Sequence, residues 1–591
     1  MYFHRQRTMS RGENHKVLFM HVELFHDTDA RNLIDDPSFI QSWHDLCHKC
    51  PTATSFQSPS FVRAWFHCYS EHWRPIVVLS REKDGDLSAL WILANSLDAR
   101  KITHPGAHQS EYQTWIAKTG ADIDFFSAAW AEITRQLPFS SLKIKYFPNA
   151  ELARAIQKSP KTSRICIVNY HKRPLLELNT DNIEASFKKK ANKSRLNRLK
   201  KQGEIQFRRI ATREELDAVF DQLIAFYDFR QGATHNSIPF RSDPCKRAFL
   251  SNLLADPENR AYVTTTLLDG QPIAAFWGAV SSGIVHLGML IHSPFYAENS
   301  PGKLHIMQLS KHLAEHGKQT IDLTPGGDTW KERFANIHDE VAEIDIFKTA
   351  RARLIALLFI KTQLYCKRCI NAAGLSTSAI KSYFWMFRKI TPKSVARKLC
   401  DWAYTKRELR IYRCERGLSD RITSNDMIRC NSLPDLISFE PGETWQTSRS
   451  FLTAALHRIE NGESAFTISI NKKLAASGWL VKDQRTSVLS EVHQTMLLPE
   501  GSVSLYDFYT DPKFRGRGLY RQLIAHMLQL AFSNENTKYA YICVLADNGA
   551  SRHVIEKAGF QHQGSFYLER KFGRLKKWAD KDASKQESID A

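Results

Sequence analysis

The sequence predicts a mixed α/β protein in which helices flank several sheets, and two observations predict it. Short runs rich in β-branched and aromatic residues alternate with amphipathic runs over most of the chain. PIVVLSRE at 75–82 is a predicted strand, and 215–230 and 303–316 are predicted helices. The 591 residues are also enough for about four domains of ordinary size. Alternation on this scale is typical of domains in which helices cover sheets.

The first α/β region covers residues 20–345. Its clearest predicted strands are RAYVTTTLLDGQPIAAFWGAV at 260–280 and IVHLGMLIH at 284–292. His286 and His292 lie on the second of these strands, and we interpret both as structural histidines, because a histidine in an apolar strand is more often a satisfied core residue than a catalyst.

The second α/β region covers residues 405–580 and is followed by a polar tail at 581–591. Between the two regions, 346–404 is predicted to be a helical and basic connector. The predicted elements of the second region are ELRIYRCE at 408–415, a helix at 449–460, SLYDFYT at 504–510, a helix at 518–532, YAYICVL at 539–545 and a helix at 549–558. The chain is therefore expected to hold tandem domains of similar character.

The charge and the cysteine content narrow the class of partner and the compartment. The formal net charge is +20, which favours an anionic partner such as a phosphorylated cofactor, a nucleic acid or a membrane surface. Eleven cysteines without a disulfide framework indicate a reducing compartment, so we expect a cytoplasmic protein. The longest uniformly apolar run, LIALLFI at 354–360, is far shorter than the ~20 residues of a membrane span.

The spacing of Cys47 and Cys50, next to His44 and His48, matches that of a metal-binding pair. Structural zinc sites ordinarily use two well-separated pairs of ligands, and this region supplies one pair. We therefore interpret the spacing as a chance feature of a surface helix and expect no metal.

The stretch DPKFRGRGLYRQL at 511–523 joins a predicted strand to a predicted helix. Glycine allows a positive φ and the close approach of a ligand to the main chain. The N–H groups and the dipole at a helix start favour an anion, and Arg515 and Arg517 add full charges. The sequence therefore predicts a phosphate or pyrophosphate site, and a tight turn with solvated arginines is the alternative.

Together with NGASRHVIEKAGF at 548–560, this loop resembles the GNAT family of N-acetyltransferases. The resemblance covers about 408–575 and implies that acetyl-CoA or another acyl-CoA is the cofactor. Main-chain groups of the loop would hold the pyrophosphate, and the residue before the loop would place the thioester arm. The residues that the resemblance assigns to the cofactor are Thr510, Arg515, Gly516, Arg517, Gly518, Asn548 and Ser551.

The second region departs from the GNAT pattern at two positions. Tyr520 stands where the loop of the family ends in a small residue, and Ile555 stands where the family often has the tyrosine that protonates the leaving thiolate. Tyr567 and Tyr509 are candidate substitutes for that acid. Asp507, on the strand before the loop, is the candidate general base, because an acceptor amine must lose a proton before it attacks. An edge aspartate paired with a basic group is the alternative.

In the first region, SFKKKANKSRLNRLKKQG at 186–203 carries eight Lys and Arg and no acid. Two interpretations remain open. The run is either a solvated basic helix or a contact for the phosphates of a cofactor, a nucleic acid or a lipid.

This basic run belongs to a larger pattern that resembles a second family, the CelD-like acyltransferase domain named for cellulose biosynthesis. That domain is a GNAT-like relative of the FemAB peptidyltransferases. The resemblance covers about 25–345, and its other matching features are FQSPSFVRAW at 56–65, LLDGQPIAAFWG at 267–278, SPG at 300–302 and the series Asp322, Gly326, Lys331 and Phe334.

The second resemblance implies two GNAT-like halves, at about 20–175 and 176–345. It places the helix start at Ser300–Lys303 near the cofactor phosphates. It also makes Asp322 and Lys331 candidate catalytic residues, although a strand-end carboxylate and a surface lysine are the alternatives.

The connector holds twelve Lys and Arg and no Asp or Glu between residues 347 and 400, with aromatic and aliphatic residues interleaved. A basic amphipathic helix of this kind is typical of a membrane-surface or partner-binding element. The alternative is a helical hairpin packed on the protein with its basic face in water. The first interpretation places the protein at the inner face of an anionic membrane.

These observations predict an acyl-CoA-dependent acyltransferase that modifies an amine or a hydroxyl. By resemblance, the acceptor would be a small molecule or a precursor of an envelope polysaccharide or exopolysaccharide. Two alternatives stay open. One is a FemAB-like transfer from aminoacyl-tRNA, which is the one nucleic-acid partner expected. The other is that one GNAT domain is a non-catalytic binding or regulatory module.

Overall fold

The computed structural model of the protein describes residues 20–98, 101–256, 258, 260–372, 403–416, 427–442 and 446–580. Within them the strands form one five-stranded sheet, two eight-stranded sheets and a two-stranded ribbon, with helices on the faces of the large sheets. The prediction of a mixed α/β fold is confirmed. Residues 373–402 of the predicted connector and the tail at 581–591 lie outside the described residues.

The five-stranded sheet is antiparallel and has the order β1-β2-β3-β4, with β5 also beside β3. Its core is rich in tryptophan, since Trp91, Trp115 and Trp130 are buried against one another. Its strands are β1 (Glu23–His26), β2 (Trp73–Arg81), β3 (Leu87–Ser96), β4 (Ile102–Thr103) and β5 (Ile116–Ala117), and its helices are α1 (Asp27–Asp35), α2 (Pro37–Lys49), α3 (Pro59–Cys68) and α4 (Asp122–Gln136).

The second sheet has the order β6-β13-β7-β12-β11-β10-β9-β8. Its strands are β6 (Ser141–Phe147), β7 (Cys166–Glu177), β8 (Ile205–Ile210), β9 (Ala261–Leu268), β10 (Gln271–Ser281), β11 (Ile284–His292), β12 (Thr320–Asp322) and β13 (Ile337–Phe347). Its helices are α5 (Ala150–Lys158), α6 (Thr180–Lys188), α7 (Lys190–Lys200), α8 (Arg213–His235), α9 (Pro239–Ser242), α10 (Cys245–Ala255), α11 (Pro301–Glu315) and α12 (Thr329–Phe334).

The third sheet has the order β15-β16-β17-β20-β21-β14-β22-β23 and follows helix α13 (Ala350–Ala372) in the chain. Its strands are β14 (Tyr404–Glu415), β15 (Ile428–Cys430), β16 (Ser464–Ile470), β17 (Lys473–Val481), β20 (Ser502–Thr510), β21 (Tyr539–Leu545), β22 (Gln561–Lys571) and β23 (Arg574–Ala579), and the ribbon is β18 (Thr486–Leu489) with β19 (Gln494–Leu497). Its helices are α14 (Leu433–Ile437), α15 (Ser448–Glu460), α16 (Leu519–Ser533) and α17 (Gly549–Lys557).

The two eight-stranded sheets share one plan. In each, four antiparallel strands lead into a parallel pair, β11 with β12 and β20 with β21, and a helix connects the two strands of the pair. The strand beyond the pair comes from an earlier part of the chain, β7 in one sheet and β14 in the other. Pairing within each parallel pair is confined to three residues of each strand. β11 continues past the end of β12, while β20 and β21 both continue without pairing, so a cleft opens in each sheet.

The boundary between the two halves was predicted at 175/176, but the structure places the change from the first sheet to the second before β6. Residue 175 lies inside β7, and β6 and β7 both join the second sheet rather than the first. The physical reason is that the hydrogen-bond partners of β7 are β12 and β13, which come much later in the chain. β13 also extends to Phe347, beyond the predicted end of the domain at 345.

The two eight-stranded units pack against each other through α8 and α15. Gly232 lies under the Leu452 side chain, and a Cβ at 232 would lie 2.7 Å from its Cδ1. The Thr453 hydroxyl donates to the Ala233 carbonyl at 2.7 Å, and the two helices share one apolar core. The two units therefore form a continuous structure rather than separate bodies on a free linker.

None of the helices within the described ranges is both long enough and apolar enough to cross a membrane.

Candidate functional site

His286 and Asp322 form the last residue pair of β11 and β12, at the point where the cleft in the second sheet opens. Asp322 is fully buried, and its carboxylate accepts hydrogen bonds from His286 Nδ1 at 2.9 Å, the Tyr112 hydroxyl at 2.5 Å and the Thr324 backbone N–H at 2.8 Å. Arg173 Nη1 lies 3.5 Å away. Burial acts to raise the pKa of Asp322, but the bond and charge of His286, followed by Arg173 and Tyr112, outweigh it and lower that pKa.

The other ring nitrogen of His286 is buried. Within the described part of the chain, buried Nε2 has no hydrogen-bond partner, and the imidazole lines a cavity of about 500 Å³. It also lines a second cavity of about 540 Å³ beside Arg173. When the imidazole is neutral, a carboxylate at Nδ1 favours the tautomer with its proton there and leaves the lone pair on Nε2. That arrangement can accept a proton from a molecule bound in the cavity.

The 500 Å³ cavity is built by both of the first two units. Phe56 and Glu111 come from the segments that border the five-stranded sheet, and Tyr227, Lys246 and Trp277 come from the second unit. Burial lowers the pKa of Lys246, although three nearby carboxylates act to raise it. The cavity thus combines aromatic walls with a few charged groups, which suits a polar organic molecule.

A neighbouring cavity of about 590 Å³ lies at the start of α11. Ser300 precedes this helix with φ +50°, and Gly302 lies so close to the His292 ring that a Cβ there would be 2.9 Å from it. Tyr227 lines this cavity and also the one that contains His286. The two cavities are therefore adjacent along β11.

Cations converge on this helix start. Burial lowers the pKa of Lys303, and the charges of Arg195, Lys189 and Arg333 lower it further. The basic helix α7 is anchored beside the turn before α11, where Arg198 Nε donates to Asn299 Oδ1 at 3.0 Å. Of the two interpretations of the basic run, this position favours contact with the phosphates of a ligand.

Lys331 does not line the cavity that contains His286. Its ammonium group is nearly buried and donates to the Thr324 carbonyl and hydroxyl, each at 3.2 Å, and lies 3.4 Å from Asp328 Oδ2. These partners make Lys331 a clamp on the loop after β12, and its catalytic role stays a prediction.

The predicted anion loop of the third sheet has open backbone. Gly516 and Gly518 have φ of +78° and +73°, and no atom lies within 4 Å of the position that a Cβ would occupy at either residue. Arg515 Nε donates to the Thr510 carbonyl at 3.4 Å, and the Arg517 guanidinium lies 5.3 Å from the Phe514 ring centre. The structure brings the predicted loop residues together at the start of α16, beside the cleft between β20 and β21.

Asn548 and Ser551 have partners inside the protein. Asn548 Oδ1 accepts from the Ser551 backbone N–H at 3.1 Å and so caps α17, while the Ser551 and Tyr520 hydroxyls lie 3.0 Å apart. Burial raises the pKa of Tyr520 to about 12. Ile555 is fully buried in the core, which explains why an apolar residue occupies a position where the family often has tyrosine.

Asp507 and Tyr567 do not form an acid–base pair at the loop. Asp507 is about half exposed and is ion-paired with Arg458, whose guanidinium lies 5.0 Å from the Trp479 ring centre. The predicted base is thus a carboxylate already held by a cation. Tyr567 lies on β22, three strands from β20 and so roughly 14 Å away, and it stacks on Trp578. Its role as the acid stays a prediction.

No cluster of three or more His, Cys, Asp or Glu side chains within the described ranges could hold a metal ion.

Sequence reasoning passed over His286, Tyr112 and Arg173 as site residues. The available signal was a histidine within one apolar strand and an aspartate at the end of another. Their contact depends on the parallel register of β11 and β12, which the sequence does not reveal.

The two eight-stranded sheets thus share a parallel pair that splits and a helix start beside the resulting cleft. Two family models match the chain, described as "Acetyltransferase (GNAT) domain" over residues 186–332 and "Acetyltransferase (GNAT) family" over residues 430–560. The chain carries two GNAT acetyltransferase domains in tandem and is an acyltransferase.

Several solved structures are similar to parts of the chain, whereas no curated protein matches it. One titled FemX is 12% identical, covers 54% of this chain and 98% of its own, and has a TM-score of 0.38. A tandem GNAT protein from the clavulanic acid biosynthesis pathway is 12% identical, covers 55% of this chain and 99% of its own, and has a TM-score of 0.32. L-PGS from Bacillus licheniformis is 11% identical, covers 56% of this chain and 96% of its own, and has a TM-score of 0.35.

Proposed function

We propose that the protein transfers an acyl group from acyl-CoA to an amine or hydroxyl acceptor, and that the first GNAT domain performs the reaction. The observation that carries the proposal is His286. Its Nδ1 is held by buried Asp322, its buried Nε2 has no hydrogen-bond partner in the described residues, and its ring lines a cavity of about 500 Å³. A histidine held in this way can act as a general base.

In the proposed reaction the acceptor lies in that cavity with its amine or hydroxyl near His286 Nε2. The acceptor nitrogen or oxygen bonds to the thioester carbon as His286 takes its proton. The carbon–sulfur bond then breaks, and the proton passes from His286 to the leaving thiolate. Asp322 is a positioning residue that keeps the lone pair of His286 directed at the acceptor and stabilises the imidazolium.

The donor is proposed to place its phosphates at the start of α11. Lys303 and its cationic neighbours support this position, since they carry positive charge beside a helix N-terminus, although Asp328 and Glu460 also line the cavity. From there β11 leads to His286, so an extended arm along the cleft would bring a thioester to the base.

The acceptor is proposed to be a small molecule with hydroxyl or amino groups, as in a polysaccharide precursor. Aromatic faces such as Trp277 and Tyr227, together with the Glu111 carboxylate, support such a ligand.

The second GNAT domain is proposed to bind acyl-CoA at Arg515–Gly518 as a non-catalytic module. The observation that favours this role is the ion pair between Asp507 and Arg458, because this carboxylate would have to leave the guanidinium before it could contact an acceptor amine.

The alternative donor, aminoacyl-tRNA, is favoured by the same cations near Lys303, since they would also contact RNA phosphates. Turnover of the full-length protein with acetyl-CoA and with charged tRNA separates the two donors. With amino sugars as acceptors, we expect release of free CoA thiol. Transfer from charged tRNA alone would contradict the proposal.

The residue test is His286→Asn, which removes the base but keeps a polar side chain. We expect CoA release to fall by about 10²–10⁴-fold, with acetyl-CoA binding retained by calorimetry. His67→Asn is the matched control, because His67 is exposed on α3. Full activity in His286→Asn would remove the general-base role.

A further inference from the structure

Helix α13 leaves the first GNAT domain with an apolar surface in solvent. Its first turns are attached, since Arg353 Nε donates to the Cys166 carbonyl at 2.8 Å. Beyond that, large apolar side chains are between 37% and 69% exposed. These exposed residues are Leu354, Ile355, Leu358, Phe359, Ile360, Leu364 and Tyr365. Isolated exposed apolar residues are ordinary, but a contiguous group on one helix marks an interaction surface.

Most of these side chains fall on one side of the helix. Leu354, Leu358 and Tyr365 follow helical spacing, and Ile355 and Phe359 lie beside them. We call this set the apolar face of α13. It presents a broad stripe that the described residues leave uncovered.

Basic residues accompany the apolar face. Arg351, Lys361, Lys367 and Arg368 lie on the same helix, and residues 347–400 carry twelve Lys and Arg and no Asp or Glu. A second copy of this helix or the segment that follows it would bring cations against cations. An occupant that offers both apolar volume and negative charge avoids this repulsion.

We propose that α13 docks on an anionic lipid surface, lying in the plane of the interface with its apolar face among the acyl chains and its Lys and Arg among the headgroups. Such helices combine burial of an apolar stripe with attraction to anionic lipid. The proposal does not rest on the proposed acyl-transfer reaction. It would place the reaction beside acceptors carried on a membrane.

The test is cosedimentation of the full-length protein with sucrose-loaded vesicles of phosphatidylcholine, with and without phosphatidylglycerol. We expect binding to the anionic vesicles at low salt and at least a roughly tenfold weaker binding at high salt or without phosphatidylglycerol. Absence of binding to anionic vesicles at low salt would overturn the proposal, and so would equal binding to both kinds of vesicle.

Two variants separate the apolar and the ionic contributions. Leu358→Ser with Phe359→Ser removes the centre of the apolar face, and Lys361→Gln with Arg368→Gln removes charge from the same helix. Each pair is expected to weaken binding by about tenfold. Val488→Ser is the matched control, since Val488 is exposed on the ribbon of the other domain.

The full-length protein and its variants also test two other possible occupants of the apolar face of α13. If sedimentation equilibrium shows a dimer that the serine pair dissociates, the face belongs to a second copy and the lipid proposal is wrong. If deletion of 373–400 creates vesicle binding that the full-length protein lacks, that segment is the occupant. Circular dichroism of each variant checks that the fold is unchanged.

Discussion

His286 Nδ1 and Asp322 Oδ2 lie 2.9 Å apart on the last paired residues of two parallel strands. Because the strands separate beyond this pair, the dyad lies where the cleft begins and where the 500 Å³ cavity meets the sheet. A buried carboxylate that fixes one ring nitrogen determines which nitrogen carries the lone pair. The following prediction depends on that relationship.

Asp322→Asn is expected to lower kcat by about 10²–10⁴-fold with little change in KM for the acyl donor. The amide can donate to His286 Nδ1 and so favour the tautomer whose Nε2 carries the proton. Steady-state kinetics over a pH series, with urea unfolding of the same protein, measure the effect. Asp322→Glu keeps the charge and should recover part of the activity, whereas a purely structural carboxylate would lower stability and leave the pH profile of kcat unchanged.

Gly516→Val with Arg517→Glu is expected to abolish one of two acyl-CoA sites. Valine is strained at φ +78° and would cover the open backbone, and glutamate would repel the pyrophosphate. Calorimetry of the full-length protein with acetyl-CoA should change from two sites to one.

Lys303→Glu provides the reciprocal control, since it should remove the other acyl-CoA site and the transfer activity together. If the double variant in the loop keeps two sites, the loop is not a donor site. If it loses CoA turnover as fully as Lys303→Glu, the second domain is catalytic rather than a binding module.

Glu460→Ala tests the contact between the two GNAT domains. Glu460 on α15 pairs with Arg230 on α8, and both side chains are mostly buried. Removal of the carboxylate leaves a buried guanidinium without its partner, so we expect a loss of about 1–3 kcal/mol in the free energy of unfolding, measured in urea. Arg230→Met with Glu460→Ala should recover part of this loss. An additive double variant would mean that the two side chains do not interact.

Most elements of the chain could be predicted from the sequence, because their periodicity is local. The strand IVHLGMLIH at 284–292 is β11, and the helix predicted at 518–532 is α16, one residue later. The membership of β7 in the second sheet could not be predicted, since its partners are β12 and β13 and strand pairing over long separations leaves no local signal.

The anion loop was accessible to sequence reasoning for the same reason, because Arg515–Gly518 and the start of α16 are adjacent in the chain. The catalytic acid and base could not be predicted in this way. Asp507 alternates on its strand as a catalytic carboxylate would, yet Arg458 reaches it from α15. His286 looks like a core histidine until Asp322 is placed beside it. Roles that depend on side chains from separate elements need the tertiary structure.

Two buried histidines and a third that is partly buried make the protein sensitive to acid. His104 accepts a hydrogen bond from Trp91 at 3.0 Å, His305 lies between the hydroxyls of Thr264 and Thr266, and His292 packs against Gly302. Burial lowers the pKa of each to about 3. All three are therefore neutral in the folded protein at neutral pH.

We expect stability to fall as the pH decreases below about 6.5, the pKa of histidine in an unfolded chain. Between that value and about 3 the unfolded chain binds protons that the folded protein does not. Each histidine therefore lowers the free energy of unfolding by about 1.4 kcal/mol for each pH unit. Urea unfolding at about pH 7.5 and about pH 5.5 measures the slope. His305→Gln should remove the contribution of one histidine from the slope of the free energy of unfolding against pH, even if it lowers stability. His67→Gln, at an exposed position, should leave this slope unchanged. A slope in His305→Gln equal to that of the parent protein would show that His305 titrates alike in the folded and unfolded states.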